Sequence, residues 1–258
     1  MTGIPITDFI IVLMIFLRIT AAFVAAPIFG HQAFPILPKL FLAFIIALII
    51  FSTVDPLKIN VEPTLWWLSV NAVKEILSGL ILGFSLNMVF YGISFAGSLI
   101  GFDMGLMLAE AFNPMEEVNS NVVGDMITVA AIVVFFLING HHYLIRGLAY
   151  SFQVVPIGEF TFNEPIYQLI IRYSASVFII AAKIAAPILV SFFLVYIAEG
   201  IIARVIPNMQ VFFVTQPLKI GVGFILLISV TPVYVYVIKN LLKEYEDNLF
   251  QLIKAMGS

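Results

Sequence analysis

Long apolar runs recur along the whole chain and constrain its fold more than any other feature. Several run for about 20 residues, enough for a helix to cross a hydrocarbon core of about 30 Å. Hydrophobic residues make up 62% of the 258 positions and charged residues 10%, whereas a soluble domain carries about 25% charged residues. The runs are continuous rather than alternating, so they favour helices over a membrane barrel. We therefore predict an all-α membrane protein.

Prolines and polar links divide the chain into about six apolar helical segments, some of them bent or hairpin-like. The first segment has no basic residue before it, so we expect a retained span rather than a cleaved signal peptide. The polar tail at 239–258 is predicted to be helical. The six segments are expected at residues 9–26, 40–54, 65–102, 127–145, 175–202 and 211–238.

The third segment is too long for a single crossing. As one helix, residues 65–102 would extend about 57 Å at 1.5 Å per residue, nearly twice the hydrocarbon core. Either the chain turns back near residues 91–95, or much of this helix packs against protein outside the lipid. The sequence leaves both alternatives open.

Glycines recur at four-residue intervals within this segment and just after it. Such spacing lays small residues along one face of a helix and permits a close approach of a second helix backbone. We therefore predict a helix-packing role for Gly79, Gly83, Gly97 and Gly101, with Gly105 continuing the last series.

Charged residues interrupt the apolar runs at a few positions. A charge facing lipid is costly, so each of these side chains is expected to be buried against protein or to face water. For Arg18 the expected partners are Glu75 first and Glu199 second. The predicted buried charges are Arg18, Glu75, Lys183 and Glu199.

The segment after the third run combines acidic residues with methionines. It holds Asp103, Glu110, Glu116, Glu117 and Asp125 without any basic residue, and Asn113-Pro114 is a turn signal. An exposed acidic loop is one interpretation. A soft plug in an aqueous passage is the other, because methionine adapts to irregular surfaces.

Composition and motifs argue against several functional classes. The chain has no cysteine, hence no disulfide or thiolate metal site, and its net charge of −3 does not favour nucleic-acid binding. His141 and His142 are adjacent rather than spaced as metal ligands, and no catalytic motif is complete. We expect no enzyme activity, cofactor or metal. The alternative function is a small-solute or ion secondary transporter using Arg18, Lys183 and Glu199.

A series of short motifs follows a recognisable order along nearly the whole chain. The set resembles the FliR/SctT family of the type III protein-export apparatus, and the segment at 151–158 favours its flagellar branch. The motifs are Leu17-Arg18, AAPIFG at 25–30, EILSGLILGF at 75–84, AGSLIGFDMGLMLA at 96–109, Asn113-Pro114, Asn139-Gly140-His141, Ser151-Phe152, Pro156-Ile157-Gly158, Ala185-Ala186-Pro187, Arg204, Pro207 and Phe212.

The resemblance implies a division of the chain into parts. Residues 1–174 would be a FliP-like helical part, 175–238 a FliQ-like helical hairpin and 239–258 a polar C-terminal tail. The tip of the hairpin would lie at the channel entrance, with Arg204, Pro207, Asn208, Met209 and Gln210. A plug loop would span about 105–119 and include Gly105, Leu106, Met107, Leu108, Glu110, Phe112, Asn113, Pro114, Met115, Glu116 and Glu117.

The resemblance also implies partners and a location. Members of this family form a hetero-oligomer with FliP and FliQ homologues, and FlhB and FlhA are further expected partners. Together they would pass unfolded flagellar proteins across the bacterial inner membrane, within the flagellar basal body. The expected contacts are thus with protein and membrane lipid, and none is expected with nucleic acid.

Overall fold

The computed structural model describes residues 6–27, 35–54, 64–106, 121–207 and 210–257. These residues form seven α-helices and no strand, which confirms the predicted all-α class. In chain order the helices are α1 (Ile6–Ala25), α2 (Ile36–Phe51), α3 (Leu65–Asp103), α4 (Val122–Leu137), α5 (Gly140–Val154), α6 (Glu164–Val205) and α7 (Val211–Met256).

Of the seven helices in the described residues, four are long and apolar enough to cross a membrane, namely α1, α3, α6 and α7. The predicted segment at 127–145 is instead divided between α4 and α5, which meet at an angle of 69°. Asn139 lies at this break with φ of 59°, a left-handed conformation that asparagine tolerates better than most residues. Counting the bent pair as one span gives up to five spans, because α2 has only 16 residues.

Helix α3 is continuous over 39 residues. The alternative in which the chain turns back near 91–95 is therefore wrong. Helix α6 begins at Glu164, eleven residues before the predicted segment at 175, and reaches 42 residues. Helix α7 includes most of the polar tail, so the prediction of a helical tail is confirmed.

The chain forms two compact units, each made from segments distant in sequence. The first contains Met1–Met88, Asn139–Ser174 and Lys243–Ser258, and the second contains Val89–Ile138 and Ala175–Leu242. The division into a FliP-like part, a FliQ-like hairpin and a tail stays a prediction that rests on the resemblance.

In the first unit, α1 supplies the centre of the core. Ile15, Ile19 and Phe23 are fully buried, together with Leu82 and Leu86 from α3. Two glycines of α3 explain how the helices come so close. A Cβ on Gly79 would overlap the carbonyl oxygen of Arg18, and one on Gly83 would overlap that of Ala22. These two glycines therefore lie at a close helix contact, as their spacing predicts.

In the second unit, aromatic side chains and one more glycine contact organise the core. Phe90 of α3 packs edge-to-face on Phe135 of α4, with ring centroids 6.2 Å apart. A Cβ on Gly97 would overlap the backbone of Gly124, so α3 and α4 touch along their main chains at this point.

Gly101 and Gly105 differ from the predicted packing strip. A Cβ on Gly101 would lie 3.8 Å from the nearest atom, a Val123 methyl carbon, which leaves ordinary room for a side chain. The chain's own helices are therefore not in close backbone contact at this glycine. Gly105 lies beyond the end of α3 and has φ of 77°, so it ends the helix and does not continue its face.

Candidate functional site

Arg18 is the centre of a polar cluster inside the first unit. Its side chain is fully buried, and Nε donates to Oε2 of Glu75 over 2.6 Å. Nη1 donates to the Ser151 hydroxyl at 3.2 Å, and both Nη atoms donate to the carbonyl oxygen of Val155 at 3.1 Å. The guanidinium also lies 4.0 Å from the centre of the Phe152 ring. Glu75, the acid expected first, is therefore the partner of Arg18.

Glu75 links the same cluster to the turn that follows α5. Its Oε1 accepts a hydrogen bond from the backbone N–H of Gly158 at 2.9 Å. The neighbouring Lys74 donates to the Gly158 carbonyl at 2.8 Å. Two consecutive residues of α3 thus bind the N–H and the C=O of Gly158. Gly158 has φ of 83°, and a Cβ there would also crowd the Asn71 side chain. This turn therefore requires glycine.

The cluster makes a buried charge pair tolerable in an apolar protein. Removing two ions from water is costly, and the pair is stable only where hydrogen bonds occupy the remaining donors and acceptors. Here Ser151, Val155 and Gly158 supply those bonds. The cluster joins α1, α3 and the end of α5, and it leaves the guanidinium enclosed by protein.

A second polar cluster lies within the second unit, where α3, α6 and α7 meet. Lys219 of α7 is buried and pairs with Oε2 of Glu199 on α6 at 2.9 Å. Its ammonium lies 4.4 Å from the centre of the Tyr196 ring. The hydroxyl of Tyr196 in turn donates to Oδ1 of Asp103 at 3.0 Å. Asp103, which the sequence placed in an acidic loop, is the last residue of α3.

The end of α3 forms a C-terminal cap that α7 holds from one side. The N–H of Leu106 binds the carbonyl of Gly101 at 3.0 Å, and the N–H of Gly105 binds that of Phe102 at 2.9 Å. With Gly105 in the left-handed region, these bonds are those of a Schellman motif. The amide of Gln216 donates to the Met104 carbonyl at 3.1 Å and fills the space beside Gly105. We call Met104, Gly105 and Gln216 the α3 cap.

The α3 cap lies at the start of the predicted plug loop. Gly105 and Leu106 are the two residues of the predicted plug loop that the structure describes. The remaining predicted plug residues lie outside the described part of the chain, namely Met107, Leu108, Glu110, Phe112, Asn113, Pro114, Met115, Glu116 and Glu117. At the predicted entrance, Arg204, Pro207 and Gln210 are exposed, while Asn208 and Met209 fall outside the described residues.

Lys183 is the one predicted buried charge that this single chain leaves exposed. It was expected to be buried, yet it is exposed on α6 and makes no ion pair within the described residues. The helices of this chain cover only the opposite side of α6, where Ile184 and Ile188 are buried, so burial of Lys183 against another protein stays a prediction. Glu199 is largely buried as expected, but its partner is Lys219.

Sequence reasoning missed several residues that complete these two clusters. Ser151 and Gly158 belong to motifs quoted for the resemblance, but nothing in their spacing links them to Arg18. Lys219 follows Pro217 at the start of an apolar run, which is a weak signal of burial. The roles of Tyr196 and Gln216 have no signal in the sequence, because polar residues near the ends of apolar runs are common.

Comparisons with known proteins agree with the order of motifs. The family described as bacterial export proteins, family 1, matches residues 9–245. The flagellar biosynthetic protein FliR of Bacillus subtilis (strain 168) is 36% identical over 249 residues, covering 95% of each chain. FliR of Escherichia coli (strain K12) is 28% identical over 241 residues, with 93% of this chain and 91% of the relative covered. FliR of Aquifex aeolicus (strain VF5) is 27% identical over 241 residues, with 92% of each covered. The chain belongs to family 1 of the bacterial export proteins.

Proposed function

We propose that this chain is a membrane subunit of the flagellar type III export gate. With homologues of FliP and FliQ it would form the channel that passes unfolded flagellar proteins across the inner membrane, in the flagellar basal body. Its family and its flagellar relatives support a role in flagellar protein export, and its apolar helices support a position in the membrane. In this role the chain forms part of a passage and catalyses no reaction.

The observation that carries the proposal is the length of exposed apolar surface on α6. Exposed apolar side chains recur from Ile171 (50%) to Val205 (72%), a distance of about 51 Å along a helix. Exposed charges interrupt them only at Arg172, Lys183 and Arg204 among the described residues. Fitting this length into a core of about 30 Å would need a tilt above about 50°, beyond the usual range of up to about 40°. Lipid alone therefore cannot bury the whole of this apolar surface. Sister subunits would bury the remainder.

The α3 cap supports the proposed plug at about 105–119. A loop that closes a passage must start from a fixed point, and Gln216 holds the α3 end at the Met104 carbonyl. Flexible apolar side chains in the loop would then seal the passage, since hydrophobic constrictions close by excluding water. The exposed residues Arg204, Pro207 and Gln210 at the α6–α7 turn fit a channel entrance. FlhB and FlhA are the further partners that we propose for the gate.

No observation favours the alternative of a solute carrier. Arg18 is fully buried within the first unit and bonded to Glu75, Ser151 and Val155, so its guanidinium is not exposed to bind a solute. Within the second unit, Glu199 pairs with Lys219 and Lys183 faces outward. The three charges proposed for a carrier thus have separate environments.

The decisive experiment is a pull-down of the tagged full-length chain from bacterial membranes in mild detergent. Mass spectrometry of the eluate should find two small hydrophobic subunits, homologous to FliP and FliQ, in constant ratio to the bait. A tagged, unrelated inner-membrane protein of similar abundance serves as the control. Recovery of a stable lone monomer would contradict the proposal and favour a carrier.

A further inference from the structure

Lys183 is a lone cation on an apolar face of α6. It is the only charged residue between Arg172 and Glu199 in the sequence. Its side chain is exposed, and it makes neither a hydrogen bond nor an ion pair in the described part of the chain. The two acids inside the apolar runs are not available to it, because Glu75 pairs with Arg18 and Glu199 pairs with Lys219.

The surroundings of Lys183 form a surface suited to a second helix. Ile179 and Val190 are 56% and 66% exposed, and Ala182 and Ala186 are exposed between them. These positions are three or four residues apart and so share one side of the helix. The two alanines are four apart, a spacing that allows a neighbouring backbone to come close. We call Ile179, Ala182, Lys183, Ala186 and Val190 the Lys183 face.

We infer that the Lys183 face is the docking surface for an apolar helix of a neighbouring gate subunit, and that this helix presents an aspartate or glutamate to the lysine. The inference rests on the proposed function and adds the chemistry of the partner. Exposed apolar side chains lie on both sides of the lysine, with Phe178 before it and Phe193 after it. The ammonium is thus inside an apolar stretch, where a carboxylate is the group that would compensate its charge.

A lipid phosphate is the other anion that the membrane offers. It would reach Lys183 only where the headgroup layer meets this part of α6. The nearest charged residues on the helix, Arg172 and Glu199, lie about 16 Å and 24 Å away along the axis. The alanines beside the lysine favour a helix over a lipid as its neighbour. Small side chains let a second helix backbone come close, whereas disordered acyl chains pack against side chains of any size.

The first test compares three substitutions in the full-length tagged chain. We expect Lys183→Arg to keep the wild-type yield of co-purified subunits. Lys183→Glu should lower that yield roughly tenfold, because two carboxylates would oppose each other in a desolvated contact. Lys183→Met should also lower it while leaving the amount of bait in the membrane unchanged, since methionine is more apolar than lysine. Lys243→Met, in the exposed part of the tail, is the matched control and should change neither quantity.

The second test identifies the neighbour directly. A photo-crosslinking residue at position 186 in the assembled complex should capture one subunit, at a residue close to an Asp or Glu. Replacing that acid by lysine should then restore the yield of co-purified subunits in the Lys183→Glu variant. Wild-type yields from both Lys183→Met and Lys183→Glu would overturn the inference, and so would capture of phospholipid alone. If the wild-type bait recovers no subunit, the proposed function itself fails; if it recovers them and the variants match it, only this inference fails.

Discussion

At the scale of single residues, the charges of this protein differ in how they are compensated. Arg18 and Glu75 satisfy each other inside the first unit and share three further groups, Ser151, Val155 and Gly158. Lys219 and Glu199 form a second pair, to which Tyr196 contributes its ring. Lys183 has no such compensation within the described chain.

Removing the charge of Glu75 should destabilise the protein strongly. Glu75→Gln leaves the Arg18 guanidinium buried without a counter-ion, a change that costs about 3–5 kcal/mol of unfolding free energy. Thermal unfolding of the detergent-solubilised protein measures the loss. Glu159→Gln, at an exposed position one residue after Gly158, is the control and should unfold like wild type.

A double substitution tests whether the cost comes from the unpaired charge. Arg18→Met with Glu75→Met replaces both ions by apolar groups, which is often neutral or stabilising for a buried pair. We expect the double variant to recover most of the stability lost by Glu75→Gln. If the double variant is no more stable than the single one, hydrogen bonds to the turn at Gly158, and not charge, dominate this cluster.

The α3 cap allows a labelling experiment, because the chain contains no cysteine. Gln216→Leu leaves the Met104 carbonyl without its side-chain donor, an unmade bond worth about 1–3 kcal/mol where buried. The rate at which a maleimide modifies Leu106→Cys should therefore increase. Gln168→Leu removes an exposed amide in the first unit and should leave the rate unchanged. An unchanged rate in Gln216→Leu would mean that Gln216 does not hold the end of α3.

At the scale of helices, close backbone contacts distinguish glycines that the sequence treats alike. On α3, Gly79 and Gly83 contact α1 and Gly97 contacts α4, each without room for a Cβ. Gly101 has that room beside Val123. Contacts between apolar side chains depend little on direction, so they do not fix the distance between two helices. The glycines, which have no side chain, set where the two backbones come close.

Gly97→Ala and Gly101→Ala form a matched pair on one helix. Alanine is favoured over glycine in a helix by up to about 1 kcal/mol, so Gly101→Ala should be neutral or slightly stabilising. Gly97→Ala should cost about 1–3 kcal/mol, because the new methyl meets the Gly124 backbone. Thermal unfolding and the yield of intact complex relative to membrane-inserted protein measure both effects. Equal behaviour of the two variants would contradict the close contact of α3 with α4.

At the scale of the whole molecule, the functional prediction concerns closure of the passage. Deleting residues 106–115 removes most of the proposed plug, and assembled complexes should then leak ions or small solutes across the cell membrane. Ion flux into vesicles that carry the purified complex measures this leak. Replacing Glu116 and Glu117 by glutamines keeps the loop length and serves as the control. Wild-type flux from the deleted complex would show that the loop is exposed and does not seal the channel.

The class of the protein and several of its local features can be read from the amino-acid sequence alone. Long apolar runs require backbone groups to be satisfied within each segment, and in lipid this requirement favours helices. Arg18 inside such a run required a partner, and an acid in another run was the natural candidate. The helical tail and the ordered motifs of the export family were also readable directly.

Which faces of the helices meet becomes visible only in the folded chain. In a soluble protein an apolar face indicates the core, but here lipid-facing and protein-facing sides are both apolar, so periodicity carries little information. The separation of Gly97 from Gly101, the outward position of Lys183 and the pairing of Lys219 with Glu199 all depend on that choice. The two compact units likewise combine distant segments. Shape at the helix contacts, and not hydrophobicity, selects among arrangements that would bury equally apolar surfaces.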